Sequence, residues 1–196
     1  VWQNASSVYS GRFTGAGALA KGGSGTLTLT GANTATGGLT VIAGTVDTTG
    51  GGTLADTGAI TMHSGATFIA CTADTVGAVS NAGNYLVNTA QTVASLGNAG
   101  SGTTRLNADL TATGPVGNDG RIVVSGTRQV TTTGLTGGSR GQITLANASD
   151  ALALNQSGNS TYSGQLSGAG SVTKSGDGTL TLNKPGGFDV TSLIID

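Results

Sequence analysis

The residues of this chain that could do chemistry are few and widely spaced. Gly137 to Gly141 read Gly-Gly-Ser-Arg-Gly, which is the G-x-S-x-G spacing of a serine nucleophile on a sharp turn. Such a serine needs a histidine base and an acid, and the only histidine, His63, is far away in the sequence. A glycine-rich corner is the better interpretation, and we predict no catalytic serine.

Acidic and metal-binding patterns are equally incomplete. Asp56-Thr57-Gly58 resembles one arm of an aspartic protease, whose two carboxylates share a proton, yet no second Asp-Thr-Gly or Asp-Ser-Gly occurs. Gly22 to Leu27 follows the start of a calcium-binding nonapeptide, but Leu27 stands where the carboxylate ligand belongs. One histidine cannot form a metal site by itself. We predict that the chain is not an enzyme and has no metal and no cofactor.

The composition limits the partners and the fold class. Of the 196 residues 36 are glycine, 4% are aromatic and 9% are charged, with a net charge of -1. Disordered chains combine low hydrophobicity with high charge, so this chain is expected to fold. Glutamate is absent, which removes the usual i,i+4 charge pairs of helices, and no apolar run reaches the roughly 18 residues of a membrane helix. The eight Lys and Arg residues form no basic stripe, so nucleic acid is excluded as a partner.

Short alternating segments between turn-forming residues predict β-strands. Alternation over four or five residues, bounded by Gly, Asn, Asp or Ser, is typical of a strand with one buried face. In Thr26 to Thr30 the two leucines point to one side and the three threonines to the other. Cys71 ends an apolar stretch and is predicted to be buried in the core. Comparable segments are 59–62, 85–87, 121–124, 142–145 and 151–154.

Such short strands with so few aromatic rings are better suited to a stack of coils than to a sandwich. Two packed sheets enclose a core about 10 Å thick that usually holds larger side chains, whereas a coil of roughly 20 to 25 residues closes its own narrow interior with Leu, Val, Ile and Ala. We expect about eight or nine coils that advance about 4.8 Å each. Residues 1–196 are predicted to form one such segment, irregular or loop-bearing near 97–120.

A long internal repeat supports this architecture. Tyr9 to Thr30 read YSGRFTGAGALAKGGSGTLTLT, and Tyr162 to Asn183 read YSGQLSGAGSVTKSGDGTLTLN, without a gap. Because the first copy continues beyond the point that matches Asp196, the C-terminus is predicted to cut a repeat. The shared residues that we expect to be structural are Lys21, Gly25, Leu27 and Leu29 in the first copy and Lys174, Gly178, Leu180 and Leu182 in the second.

The segment from Lys21 to Val46 resembles the passenger-associated repeat of bacterial autotransporters. That pattern places a Lys and a small turn before Gly-Thr-Leu-Thr-Leu, then a Gly/Asn-Thr turn and a strand ending in Gly-Thr-Val, here residues 44–46. The second copy keeps Lys174 and Gly178 to Leu182, but Lys184 to Phe188 replace the usual turn, which predicts a different corner there.

The resemblance implies an all-β fold, a right-handed parallel β-helix or β-solenoid. It also implies a passenger that is displayed on the surface of a Gram-negative bacterium or secreted, with the outer-membrane translocator barrel of the same precursor as a partner. We predict a non-catalytic segment that acts in adhesion or self-association, and the resemblance to autotransporters also implies a role in virulence. Two alternatives stay open: a secreted toxin or effector that binds a host receptor, and a filament or surface-layer subunit that assembles end to end.

Overall fold

The computed structural model describes residues 1–196 as strands joined by turns, without any helix. The alternation of apolar and small polar residues gives strands of two to five residues, and four longer strands bend around a corner. The strands are β1 (Ser7–Tyr9), β2 (Leu19–Lys21), β3 (Thr26–Leu29), β4 (Leu39–Val41), β5 (Thr45–Asp47), β6 (Ile60–Met62), β7 (Thr67–Ala70), β8 (Asp74–Asn81), β9 (Asn84–Val87), β10 (Gln91–Asn98), β11 (Thr103–Leu106), β12 (Leu110–Ala112), β13 (Val116–Asn118), β14 (Arg121–Val124), β15 (Gln129–Thr132), β16 (Leu135–Thr136), β17 (Gln142–Leu145), β18 (Ala151–Asn155), β19 (Ser160–Tyr162), β20 (Gln165–Ser175), β21 (Leu180–Leu182) and β22 (Phe188–Ile195).

Every strand pairs in parallel with the strand one turn away, so the chain winds into a three-sided solenoid of about nine turns. Face 1 carries β2, β4, β6, the end of β8, the end of β10, β13, β16, β19 and β21. Face 2 runs from β1 and β3 through β5, β7, β9, β11, β14 and β17 to the beginnings of β20 and β22. Face 3 runs from the beginnings of β8 and β10 through β12, β15 and β18 to the ends of β20 and β22. The predicted all-β parallel β-helix is confirmed.

The core is one slim column of side chains that point inward from all three faces. Leu27 and Leu29 are buried whereas the threonines beside them are partly exposed, as the alternation in the sequence predicts. The buried cluster contains 33 apolar residues and runs the length of the solenoid. Aromatic rings are rare in it, and Phe68 and Tyr85 stack in adjacent turns with ring centroids 5.8 Å apart.

Glycine is required at the corners where the chain passes close to the turn below. At Gly44, φ is +71°, and a Cβ would overlap with the carbonyl oxygens of Gly23 and Gly25. A Cβ on Gly52 would overlap with the Leu29 carbonyl oxygen. These contacts explain why glycine is so frequent in this chain.

The structure also locates two stretches that the sequence singles out. The segment 97–120, where we predicted an irregular or loop-bearing region, contains the end of β10 together with β11, β12 and β13, all paired with the neighbouring turns. Cys71 is only half-buried, because the chain turns a corner directly after Ala70. The prediction of a core position for Cys71 is therefore wrong.

The two copies of the repeat lie on different faces. In the first copy, Leu27 and Leu29 belong to face 2, and in the second copy Leu180 and Leu182 belong to face 1. The same local sequence therefore builds a strand and a corner on both of these faces.

Candidate functional site

Lys21 is a fully buried cation that closes the corner after β2. Its ammonium group donates hydrogen bonds to the carbonyl oxygens of Gly22 (2.8 Å), Gly23 (2.9 Å) and Ala43 (3.2 Å), so it links its own turn to the next. Burial lowers the pKa of Lys21, because a charged group is disfavoured away from water. The three carbonyls take the place of water around the ammonium group.

Lys174 closes a different corner in the second copy of the repeat and bonds only within its own turn. Its ammonium group donates to the carbonyl oxygens of Ser175 and Gly176, and the residue is 8% exposed. Leu180 and Leu182, which follow, are only partly buried against the core, because β21 pairs with β19 alone, whereas the strand of Leu27 and Leu29 lies between β1 and β5. Gly25 and Gly178 of the two copies each lie so close to a backbone carbonyl that a Cβ would overlap with it.

Uncharged side chains close the other corners by the same means. The amide of Asn33 donates to the carbonyls of Gly31 (2.8 Å) and Thr53 (3.0 Å). Gln91 and Gln156 likewise donate to two or more corner carbonyls each and are buried. A buried carbonyl without a partner is costly, so these donors are part of what permits such tight turns.

Three asparagines stack inside face 1 and form a ladder that crosses four turns. The amide of Asn81 donates to Asn98 Oδ1 (2.8 Å), the amide of Asn98 donates to Asn118 Oδ1 (2.8 Å), and the amide of Asn118 donates to the Tyr162 hydroxyl (3.2 Å). All four residues are buried. Burial raises the pKa of Tyr162 to about 12, although the bond from Asn118 opposes the change.

The sequence reasoning missed these interior donors. A signal for them exists, because a polar residue ends an alternating strand and a glycine follows within four residues. Asn81 precedes Gly83, Asn98 precedes Gly102, and Asn118 precedes Gly120. Lys21 and Lys174 follow the same rule. Only the lysines were singled out, since they alone recur in the two copies of the repeat.

The candidate catalytic residues are not brought together. Ser139 lies on the corner after β16 and His63 on the corner after β6, and both are exposed. Four turns separate β6 from β16 along face 1, a distance of about 19 Å at the usual spacing between strands. The Ser139 carbonyl instead accepts a hydrogen bond from Lys184 (3.1 Å), so the glycine-rich segment is a structural corner.

In the folded chain Asp56 lies near a second carboxylate, Asp74, and the sequence does not predict this proximity. Burial raises the pKa of Asp74, the N–H groups of Leu54 and Thr75 oppose that change, and the Asp56 carboxylate adds to it. Each Asp74 oxygen accepts a backbone hydrogen bond, from Leu54 (2.7 Å) and from Thr75 (3.0 Å), and none joins it to Asp56. The pair therefore lacks the shared proton of an aspartic protease.

Asp150 is buried at the corner between faces 2 and 3. Burial by itself would raise its pKa, but the N–H groups of Arg128, Asn147 and Thr127 and the Asn147 amide together lower it. The carboxylate holds a turn in which Thr127 has φ +65°, an unfavourable conformation for a β-branched residue.

No group of three or more His, Cys or Asp side chains is placed to hold a metal ion, and no helix of the structure could cross a membrane.

The outward side chains form columns of hydroxyl groups. On face 3, Thr75, Thr92, Thr111 and Thr131 stand in register on successive turns, about 4.8 Å apart. On face 1 the column is uncharged over the seven turns from β2 to β16. Its members are Ala20, Thr40, Thr61, Ser80, Gly97, Gly117 and Thr136.

The two glycines in the face 1 column leave a hollow on this face. The hollow has a volume of about 240 Å³, and it is lined by Ser80, Gly97, Gly117 and Asp119 with Asn98 and Ala99. No basic side chain borders it. We call this hollow the face 1 notch.

Comparison with known proteins agrees with the predicted repeat. A family model described as the passenger-associated-transport-repeat matches residues 19–47 and 172–187, which is less than a quarter of the chain. The chain fits an autotransporter passenger domain with repeats. No curated protein and no solved structure matches it. The two matched segments include all eight residues predicted to be structural, from Lys21 to Leu182.

The passenger repeat has a clear physical construction. Its lysine closes a corner by bonding carbonyl oxygens, its glycines allow the chain to pass the turn below, and its Leu-Thr-Leu segment places two leucines toward the core. The lysine and the leucines are close together in the sequence, from Lys21 to Leu29 in the first copy and from Lys174 to Leu182 in the second. This chain uses the repeat on two faces of the solenoid, with Leu27 and Leu29 on face 2 and Leu180 and Leu182 on face 1.

Proposed function

We propose that this passenger segment is a non-catalytic module of a surface-displayed or secreted protein and acts in adhesion or self-association. The observation that carries the proposal is the set of hydroxyl columns in register on the faces of the solenoid, above all Thr75, Thr92, Thr111 and Thr131 on face 3. Threonine hydroxyls both donate and accept hydrogen bonds, so they can pair with many polar surfaces.

The rigid spacing of these groups favours many weak contacts over one strong one. Each hydroxyl contributes little alone, but columns on many displayed copies engage together and gain avidity. A net charge of -1 gives little repulsion between copies. The translocator barrel of the same precursor would deliver the segment to the surface, and this part of the proposal follows from the resemblance to autotransporters.

Two observations favour this role over hydrolysis. Ser139 and His63 are far apart, and the Asp74 carboxylate accepts hydrogen bonds from backbone N–H groups and has none with Asp56. Neither pair offers a nucleophile next to its base or two carboxylates that share a proton. The buried polar groups Lys21, Asn98 and Asp150 are all bonded to the protein itself. They stabilise corners and are not exposed to a substrate.

Beads coated with the purified chain provide the test. We expect the beads to clump with one another or to attach to host cells, and free chain should inhibit either effect. Because the columns are uncharged, the effect should persist in 0.5 M NaCl, where ionic contacts are strongly screened. Beads coated with a Thr92→Lys/Thr111→Lys variant, which changes only the face 3 column, serve as the matched control and should attach less to host cells. Beads that neither clump nor attach would contradict the proposal, and loss in salt would contradict its polar, non-ionic basis.

A further inference from the structure

The side chains of the face 1 column differ in size on the two sides of Ser80. Thr40 and Thr61 stand before Ser80 in the column, and Gly97 and Gly117 follow it. Thr61 and Gly97 are each one turn from Ser80, and Thr40 and Gly117 are each two turns from it. Two larger side chains on one side of Ser80 therefore correspond to two absent side chains on the other.

The fold itself does not require glycine at the notch. Among the glycines within strands, a Cβ on Gly77 would lie 2.6 Å from the Thr57 carbonyl oxygen, and Gly168 and Gly170 are equally restricted. A Cβ on Gly97 would have its nearest neighbour at 3.8 Å, and one on Gly117 at 3.4 Å. Neither residue has a positive φ. Glycine weakens a strand, and where no bulge or bend explains it, it often marks the close approach of another molecule.

We propose that face 1 is a self-complementary surface that binds face 1 of a second copy in antiparallel orientation, with the two-fold axis at Ser80. This inference rests on the self-association in the proposed function and names the surface that performs it. In such a dimer Thr61 faces Gly97 of the other copy and Thr40 faces its Gly117, and each contact occurs twice, as two-fold symmetry demands. Larger side chains thus meet smaller ones and the two surfaces interdigitate.

One turn farther out the complementarity continues. Ala20 and Thr136 are each three turns from Ser80, so a small side chain again meets a larger one. A parallel dimer would place each residue opposite itself. It would stack threonine on threonine and leave the notch of one copy facing the notch of the other. The antiparallel arrangement fills both notches.

The absence of charge in the column and the small area of the interface indicate a weak, non-ionic dimer. The column contains no charged residue, so the pairing needs no ion pair and meets no repulsion within the column. Seven turns of three-residue strands offer about 34 by 10 Å per copy, or roughly 700 Å² for the pair, from the usual strand dimensions. Stable interfaces bury about 1,200–2,000 Å². The dimer is therefore weak and becomes effective when many copies share a surface.

Two reciprocal variants of the full chain test the inference. Gly97→Thr/Gly117→Thr fills the notch, and threonine is well tolerated in strands. Thr40→Ala/Thr61→Ala removes the side chains that would fill it. In sedimentation equilibrium up to about 1 mM protein, the notch-filled variant should dimerise at least tenfold more weakly than the wild type, since threonine would meet threonine at all four contacts.

The decisive sample is the equimolar mixture of the two variants. In a mixed dimer each threonine faces an alanine or a glycine, so heterodimers should form more tightly than either variant pairs with itself. Labelling the two variants with different fluorophores and measuring energy transfer detects them. Circular dichroism and thermal unfolding verify that both variants are folded. Ala153→Thr, which adds a threonine to the face 3 column, is the matched control and should dimerise like the wild type.

The outcomes separate this inference from the proposed function. A wild type that stays monomeric at about 1 mM would overturn the self-association itself. A wild type that dimerises, with a notch-filled variant that dimerises equally well, would overturn only the assignment to face 1. If each variant alone dimerises more weakly than the wild type, and the equimolar mixture of the two does not form tighter heterodimers, the antiparallel pairing is overturned.

Discussion

Asn98 is the most connected residue of the interior ladder, and its replacement by alanine tests the role of that ladder. Its amide group donates to Asn118 Oδ1 (2.8 Å) and to the carbonyls of Gly102 and Arg121 (3.2 Å each), and its oxygen accepts from Asn81 (2.8 Å) and from the Thr104 hydroxyl (3.1 Å). Asn98→Ala removes all five bonds from a site that is 2% exposed.

The cost follows from the groups that lose their partner. Asn118 Oδ1 accepts no other hydrogen bond, and the Thr104 hydroxyl loses its acceptor. Gly102 keeps a bond from the Arg121 N–H, and Asn81 keeps a bond to Thr103. A buried polar group without a partner costs about 1–3 kcal/mol. Two such groups predict a loss of about 4 kcal/mol in the free energy of unfolding.

The solenoid offers a matched control on its surface. Asn107 stacks in the same way between Asn88 (2.9 Å) and Ser125 (3.3 Å) but is exposed. Water replaces these bonds in Asn107→Ala, so the expected cost is about 0.5 kcal/mol. Urea unfolding measures both variants, and hydrogen exchange of β8, β10 and β13 localises the effect. Equal costs for the two variants, within about 0.5 kcal/mol, would refute the reasoning.

Three further predictions concern glycine, strain and pH. Gly117→Ala should raise the free energy of unfolding by about 0.5 kcal/mol because the Cβ has room, whereas Gly52→Ala should lower it by more than about 1 kcal/mol; urea unfolding measures both. Thr127→Asn should raise the free energy of unfolding by about 1 kcal/mol, because asparagine tolerates positive φ, and the measurement is a higher Tm. Asp150→Asn should lower the free energy of unfolding by about 2 kcal/mol at pH 7. Because the folded pKa of Asp150 is lowered, its carboxylate stabilises the fold above about pH 4, and that contribution is lost as the pH falls through the folded pKa.

Each of these predictions has an outcome that contradicts it. Destabilisation by Gly117→Ala would mean that the fold requires glycine at the notch. An unchanged or lower Tm for Thr127→Asn would show that the turn is not strained. If the difference between Asp150→Asn and the wild type were as large in acid as at pH 7, the carboxylate charge would not be its cause. Unfolding curves at several pH values measure that difference.

The local structure of this chain could be predicted from its sequence because its causes are local. Alternation of apolar and polar residues decides which side of a strand is buried, and Gly, Asn and Asp decide where the strand ends. Leu27 and Leu29, Ile143 and Leu145, and Leu152 and Leu154 all point inward as expected. The number of coils also followed from the sequence, since one coil needs about 20 residues to close around aliphatic side chains.

Contacts between turns could not be read from the sequence, because they depend on how far the chain advances in each turn. Asn81, Asn98 and Asn118 are separated by 17 and 20 residues, and no fixed period in the sequence aligns them. Turn length varies from one coil to the next, and register is set by backbone pairing between strands. The same is true of Asp56 and Asp74, whose proximity depends on the corner between them.

The sequence by itself determined that the chain forms short strands around an aliphatic interior and that Lys21 and Lys174 belong to a repeated unit. Only the tertiary structure decided what those lysines do, which faces the two copies occupy, and which outward residues stand beside one another. The physical reason is that alternation acts between neighbours along the chain, whereas the ladder, the corner bonds and the face 1 column join residues that meet only when parallel strands pair.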